Sequence, residues 1–147
     1  MTTMTAQTTQ VYSVFIRANP EQIWDAITKP EFTQQYFFGA SIGVRDGRRF
    51  SAIGGTEWDE EVFEADPSRK LVHGWVSAYD PDLAGEEASR VTWEIEPQDG
   101  GVTKLTVVHD QLDASPKTAV QVAGGWSYIL SGMKTLLETG EAFPAFE

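Results

Sequence analysis

The sequence predicts an α+β fold in which a curved antiparallel sheet wraps around one long C-terminal helix. Two observations carry this. An early aromatic helix signal, Pro20 to Thr28, is followed by a long run of strand signals. The chain then closes on a single apolar helix around Trp126 to Glu138. A sheet covered by one terminal helix forms a cup, with space between the two layers.

Residues 10–17 alternate, with Tyr12, Val14 and Ile16 on one face, and read as the first strand. Asn19 offers a helix N-cap, Pro20 suits the first helical turn, and Glu21 favours the positive helix end. Pro30 breaks this helix and starts a short second one with Phe32 and Tyr36 at i, i+4. Ser41 to Val44 and Arg48 to Ile53 form a hairpin around Asp46-Gly47, a favoured tight-turn pair. Gly54-Gly55 is the next turn, followed by strands over 57–65 and 70–77. On the second of these, Leu71, His73 and Trp75 share a face. Residues 79–88 are a polar loop.

Val91, Trp93 and Ile95 mark a half-buried strand, turned by Asp99-Gly100-Gly101. Leu105, Val107 and His109 mark the last one. Residues 111–119 read as an irregular connection, and the helix as 121–140, with Trp126, Leu130, Met133 and Leu137 on its stripe and Gly140 as its stop. The order is β-α-α-β-β-β-β-β-β-α. Residues 1–9, polar and Thr-rich, are expected to be a disordered tail on a single domain spanning 10–147.

Composition narrows the partners. The 11 Lys and Arg against 22 Asp and Glu give a net charge of −11, which repels phosphate backbones. No nucleic-acid partner is expected. The absence of cysteine removes disulfides, thiol nucleophiles and thiolate metal sites. With no signal-peptide pattern and no run of about 18 apolar residues, the expectation is a cytoplasmic protein without a membrane span.

The candidate site is aromatic. Trp75, Trp93 and Trp126, with Ile129 and the adaptable Met133, are the expected cavity lining, and Phe37 and Phe38 its entrance. Each of these also suits a filled core. His73, His109 and Tyr128 are the polar groups expected to orient a ligand. Each histidine equally suits a core position satisfied by backbone or water. No metal site, cofactor or catalytic set is assigned. The acidic run Glu57, Asp59, Glu60 and Glu61 reads as a solvated strand face, with Glu60 opposite to the other three.

Five stretches together resemble one known group: VFIRANPEQIWDAITKPE (14–31), DEEVFEADPSRKLVHGW (59–75), VTWEIEP (91–97), TKLTVVHD (103–110) and GGWSYILSGMK (124–134). They are similar to the START-like (SRPBCC) superfamily, and within it to bacterial relatives of the activator of heat-shock protein 90 ATPase homologue family. The resemblance implies a helix-grip (START/Bet v-like) fold around a hydrophobic cavity and brings no catalytic motif. Where many relatives carry paired tryptophans, this chain has Tyr36-Phe37-Phe38. The eukaryotic chaperone activator also needs an additional N-terminal domain, which is not expected in this chain.

Three functions follow. The first is binding of a small hydrophobic molecule (lipid, polyketide or flavonoid-like) between sheet and helix. The second is a protein-interaction or chaperone-regulating module acting through its surface. The third is a cyclase or hydrolase using the same cavity, with His73 or His109 as its base. A monomer or a homodimer fits all three.

Overall fold

The computed structural model describes residues 8–144. The order of elements is β1 (Gln10–Ile16), α1 (Pro20–Thr28), α2 (Pro30–Tyr36), β2 (Ser41–Arg45), β3 (Arg48–Ile53), β4 (Thr56–Asp66), β5 (Lys70–Trp75), β6 (Ser89–Pro97), β7 (Thr103–Asp110) and α3 (Pro116–Thr139). The strands form one antiparallel sheet in the order β1-β7-β6-β5-β4-β3-β2. The first and second strands thus lie at opposite edges, and α1 and α2 carry the chain between them. The expected tail falls mainly on residues 1–7, which lie outside the described residues.

Local chemistry explains most boundaries. Asn19 caps α1 through a reciprocal pair: its Oδ1 accepts from the Gln22 N–H at 2.8 Å, and its own N–H donates to Gln22 Oε1 at 2.8 Å. The β2–β3 turn places both Asp46 (φ 53°) and Gly47 (φ 72°) in the left-handed region that a two-residue hairpin requires. On the long β4 the register with β5 slips between Val62 and Glu64, leaving Phe63 as an extra residue. Such a bulge bends a strand and increases its twist. Here it lets one half of β4 pair with β3 and the other with β5.

The final helix begins at Pro116, five residues ahead of the start expected from its apolar stripe. The reason is a borrowed cap. Glu86, in the loop after β5, accepts from the Thr118 N–H and hydroxyl, both at 2.7 Å, and from the Lys117 N–H at 3.1 Å. A carboxylate from a distant loop thereby satisfies backbone donors that Ser115 leaves free. The strand expected to reach Ser77 ends at Trp75, where the Val76 N–H turns to the Glu60 carboxylate instead of a strand partner.

The inward faces of β5, β6 and β7 carry Leu71, His73, Trp75, Val91, Trp93, Leu105, Val107 and His109, all buried. Trp126, Ile129, Leu130 and Met133 of α3 press on them. No helix among the described residues is long and apolar enough to cross a membrane.

Candidate functional site: an aromatic cavity with a buried ion pair

Between α3 and the β2–β3–β4 end of the sheet the packing stops short. A cavity of about 500 Å³ opens there, within the range of small-molecule sites. Trp75 and Trp126 form its back wall, with ring centroids 5.5 Å apart, and Phe37 sits about 6 Å from both. Phe38 stacks on Tyr128 at 5.5 Å and an interplanar angle of 13°, forming part of the rim. Phe38 has φ 53°, an uncommon value for a bulky residue, and its ring is partly exposed at the edge of the cavity. On the other rim the Tyr79 hydroxyl donates to Gln121 Oε1 at 2.8 Å, tying the long loop to α3.

Two helix glycines border the cavity. Gly124 and Gly125 lie within α3 and line the void. A Cβ built on Gly124 would meet nothing within 4 Å, and one on Gly125 only the Phe38 ring at 3.9 Å. Gly124 is exposed and the space beside it is open to solvent, whereas the half-buried Gly125 faces the Phe38 ring. Glycine in a helix interior costs about 1 kcal/mol relative to alanine, so helix formation does not explain its place here.

Of the ten residues expected at the site, six line this cavity: Phe37, Phe38, Trp75, Trp126, Tyr128 and Ile129. Trp93, Met133, His73 and His109 are fully buried behind that wall. The histidines are held there by indoles. Trp93 Nε1 donates to His73 Nε2 at 2.9 Å, and His73 Nδ1–H donates to the Gly74 carbonyl at 2.7 Å. Trp126 Nε1 donates to His109 Nδ1 at 3.0 Å, while His109 Nε2 pairs with the Ser89 hydroxyl at 2.7 Å. An indole N–H only donates, so each imidazole must accept at that nitrogen and is fixed in one neutral tautomer. Burial, with the Arg49 charge acting in the same direction, holds His73 well below the ordinary histidine range. Burial also pushes His109 down to about 4, with Asp110 opposing and Arg49 reinforcing the shift. With both ring nitrogens engaged, neither histidine presents a free nitrogen to the cavity.

The charged members of the site were not among the expected residues. Arg49 on β3 and Glu60 on β4 face each other in register, both lining the cavity and both nearly fully buried. Arg49 Nη1 donates to Glu60 Oε1 at 2.8 Å. Glu60 Oε2 accepts the Val76 N–H at 2.8 Å. The guanidinium carbon lies 5.3 Å from the Trp75 ring centroid and 5.8 Å from that of Phe37. The expectation of a solvated acidic face therefore needs correcting at Glu60. Glu57, Asp59 and Glu61 point outward, where Asp59 pairs with Arg48 at 2.8 Å, but Glu60 points in. The signal was present in the sequence: counting back from the Gly54-Gly55 turn puts Arg49 opposite Glu60.

Among the described residues there is no group of three or more His, Asp or Glu side chains that would hold a metal ion.

A family model described as activator of Hsp90 ATPase homolog 1-like protein matches residues 17–138. The chain belongs to that family. The matched span contains every residue that lines the cavity. No curated protein matches the chain by sequence. Among solved structures, the solution structure of the Aha1 dimer from Colwellia psychrerythraea is 17% identical with a TM-score of 0.73, over 92% of this chain and 100% of that one. CalU16 from Micromonospora echinospora is 21% identical with a TM-score of 0.69, over 95% and 84%. DynU16, from the dynemicin biosynthetic locus, is 23% identical with a TM-score of 0.74, over 92% and 49%, so this chain spans about half of its length. At these identities the likeness is one of fold, and a helix-grip architecture is what this activator-like chain shares with all three.

Proposed function

We propose that this member of the activator of Hsp90 ATPase homolog 1-like family binds a small, mostly apolar molecule in the cavity between α3 and the sheet. The observation that carries the reading is the open volume itself, bounded by Phe37, Trp75 and Trp126, with no side chain at the half-buried Gly125 on its border. A core that merely needed filling would place a side chain at 125. The similarity to a protein of the dynemicin biosynthetic locus supports a small-molecule role. A ligand burying roughly 300 Å² of apolar surface would gain about 7 kcal/mol before ordering costs.

Gly125→Leu tests this. The substitution adds a helix-favouring residue whose Cβ would meet only the Phe38 ring, at 3.9 Å, so the fold should hold or gain about 0.8 kcal/mol. Binding of lipids and aromatic polyketides, followed by native mass spectrometry and thermal shift, should fall at least tenfold. Ligand-dependent stabilisation that survives intact in the variant would place the binding site elsewhere.

A partner-binding role is favoured by a separate observation. Val11 and Phe15 are exposed on the edge strand β1, and the Colwellia relative is a dimer. Association through that edge would be indifferent to Gly125→Leu, which separates the two readings.

A further inference from the structure

The β3–β4 wall of the cavity carries more hydrogen-bond donors than the protein uses. Among the described residues, two buried side-chain polar atoms lack a partner: Ser51 Oγ and Trp58 Nε1. Both residues line the cavity. They sit directly opposite each other in the β3–β4 register, and Arg49 and Glu60 form the pair two residues along on the same face. Cross-strand partners and i, i+2 neighbours on one face lie within about 5–7 Å of each other. Ser51, Trp58 and Arg49 therefore make one compact block.

The block is rich in donors and poor in acceptors. A guanidinium has five N–H donors, and only the Arg49 Nη1 group donates to a protein acceptor among the described residues. The indole N–H of Trp58 only donates. Both oxygens of Glu60 are engaged, by Arg49 and by the Val76 N–H. Buried donors left unpaired are costly, and a native core rarely keeps them without a reason. An occupant that presents an acceptor oxygen supplies it.

Charge decides which acceptor. Glu60 already neutralises Arg49, and the whole chain carries −11, so a carboxylate would bring an uncompensated charge into an aromatic enclosure. A neutral carbonyl would not. The guanidinium lies beside Trp75 and Phe37, so an oxygen held there places the attached ring system against the aromatic wall. We infer that the ligand is a flat, mostly apolar carbonyl compound, a ketone or quinone, whose oxygen accepts from Ser51 and Trp58 beside the Arg49 charge. This inference rests on the binding reading above and specifies its ligand.

The test uses three probes with the same two-ring body: 2-acetylnaphthalene, 2-ethylnaphthalene and 2-naphthoate. Their affinities for the full chain are measured by equilibrium dialysis. The ketone should bind about tenfold more tightly than the hydrocarbon, the scale of one or two net hydrogen bonds, and more tightly than the acid. Ser51→Ala removes only an unpartnered hydroxyl and should fold like the parent, weakening the ketone about three- to tenfold while leaving the hydrocarbon unchanged. Trp58→Phe also removes part of a ring that packs on Tyr79, so it is read by the ratio of ketone to hydrocarbon affinity, which should fall about three- to tenfold. Equal binding of ketone and hydrocarbon, or a ketone preference that both variants keep, overturns the inference while leaving the cavity reading standing. In that case ordered water serves these atoms. Tightest binding of the acid overturns the choice of a neutral carbonyl. Failure of all three probes counts against the binding reading itself.

Discussion

Lowering the pH from 7 to 5 should destabilise this protein, because two buried histidines must stay neutral in the folded state. His109 is pushed from 6.5 down to about 4, first by burial. His73 is lowered in the same direction by burial and then by Arg49. The sign follows from proton counts. Below pH 6.5 the unfolded chain protonates these rings and the folded chain does not, so acid favours unfolding. The contribution is intact above 6.5 and is lost as pH falls toward the folded-state value. Each pH unit is worth about 1.4 kcal/mol per ring. His109 alone should therefore cost about 2 kcal/mol at pH 5 and about 3 kcal/mol by pH 4. His73 adds its own loss over the same window.

Urea unfolding at pH 7, 6 and 5 reads this directly. With a slope of about 2 kcal/mol per molar for a chain of this size, the midpoint should fall by at least about 1 M. Glu86 and Glu138 do not confuse the window. Both are held below the ordinary carboxyl value of 4.5: Glu86 because bonds from Thr118 and Lys117 outweigh the upward push of desolvation, Glu138 through bonds from Lys134 and Arg17. Their share is lost only as the pH falls below about 4.5. His109→Gln keeps an acceptor for Trp126 and a donor for Ser89 while removing one titration, so its stability should fall less steeply with pH. A midpoint that does not move between pH 7 and 5 would refute the neutral-histidine account, and an unaltered slope in His109→Gln would refute its assignment to that ring.

Two further outcomes follow from single contacts. Arg49→Met should cost about 3–5 kcal/mol in urea unfolding by stranding a buried Glu60 carboxylate, whereas Arg49→Met combined with Glu60→Gln should recover most of that loss, since an amide oxygen still accepts the Val76 N–H. Glu86→Ala should cost about 0.5–2 kcal/mol and speed amide hydrogen exchange in the first turn of α3, at Thr118 and Ala119, while leaving the middle of that helix protected.

The fold was legible because its strands alternate cleanly. Val91, Trp93 and Ile95, and then Leu105, Val107 and His109, face inward as their spacing requires. Asn19 and Gly140 mark helix ends by chemistry local to each, with Gly140 in the left-handed conformation at φ 88°. What was not legible depends on partners far apart in sequence. The first turn of α3 looks irregular because its cap, Glu86, lies some thirty residues upstream. The aromatic residues were identifiable as a set, but which of them line a void and which fill the core depends on where α3 crosses the sheet. Trp93 is as inward-facing as Trp75, yet its indole is used on His73 behind the wall. Arg49 was missed for a different reason. Arg48 and Arg49 are adjacent in the sequence, and only the β3–β4 register separates the buried Arg49 from the exposed Arg48.

The distribution of local misfits is itself an argument about the cavity. A buried ion pair, two unpartnered polar atoms, a phenylalanine with positive φ and two glycines inside a helix all border the same 500 Å³. Each departs from a local rule, and two are mended by a single substitution: Gly125→Ala for helix formation, Ser51→Ala for the stranded hydroxyl. On the other half of the concave face the same residue types are fully reconciled, with each buried histidine bonded to an indole and the rings packed edge to face. One half of the cup is thus a finished core, and the other is arranged as though a further component belonged in it. Departures gathered in one place are expected at functional or strained sites. The proposed ligand belongs in the irregular half on that ground, and substitutions that repair it should raise stability while weakening the binding proposed for it.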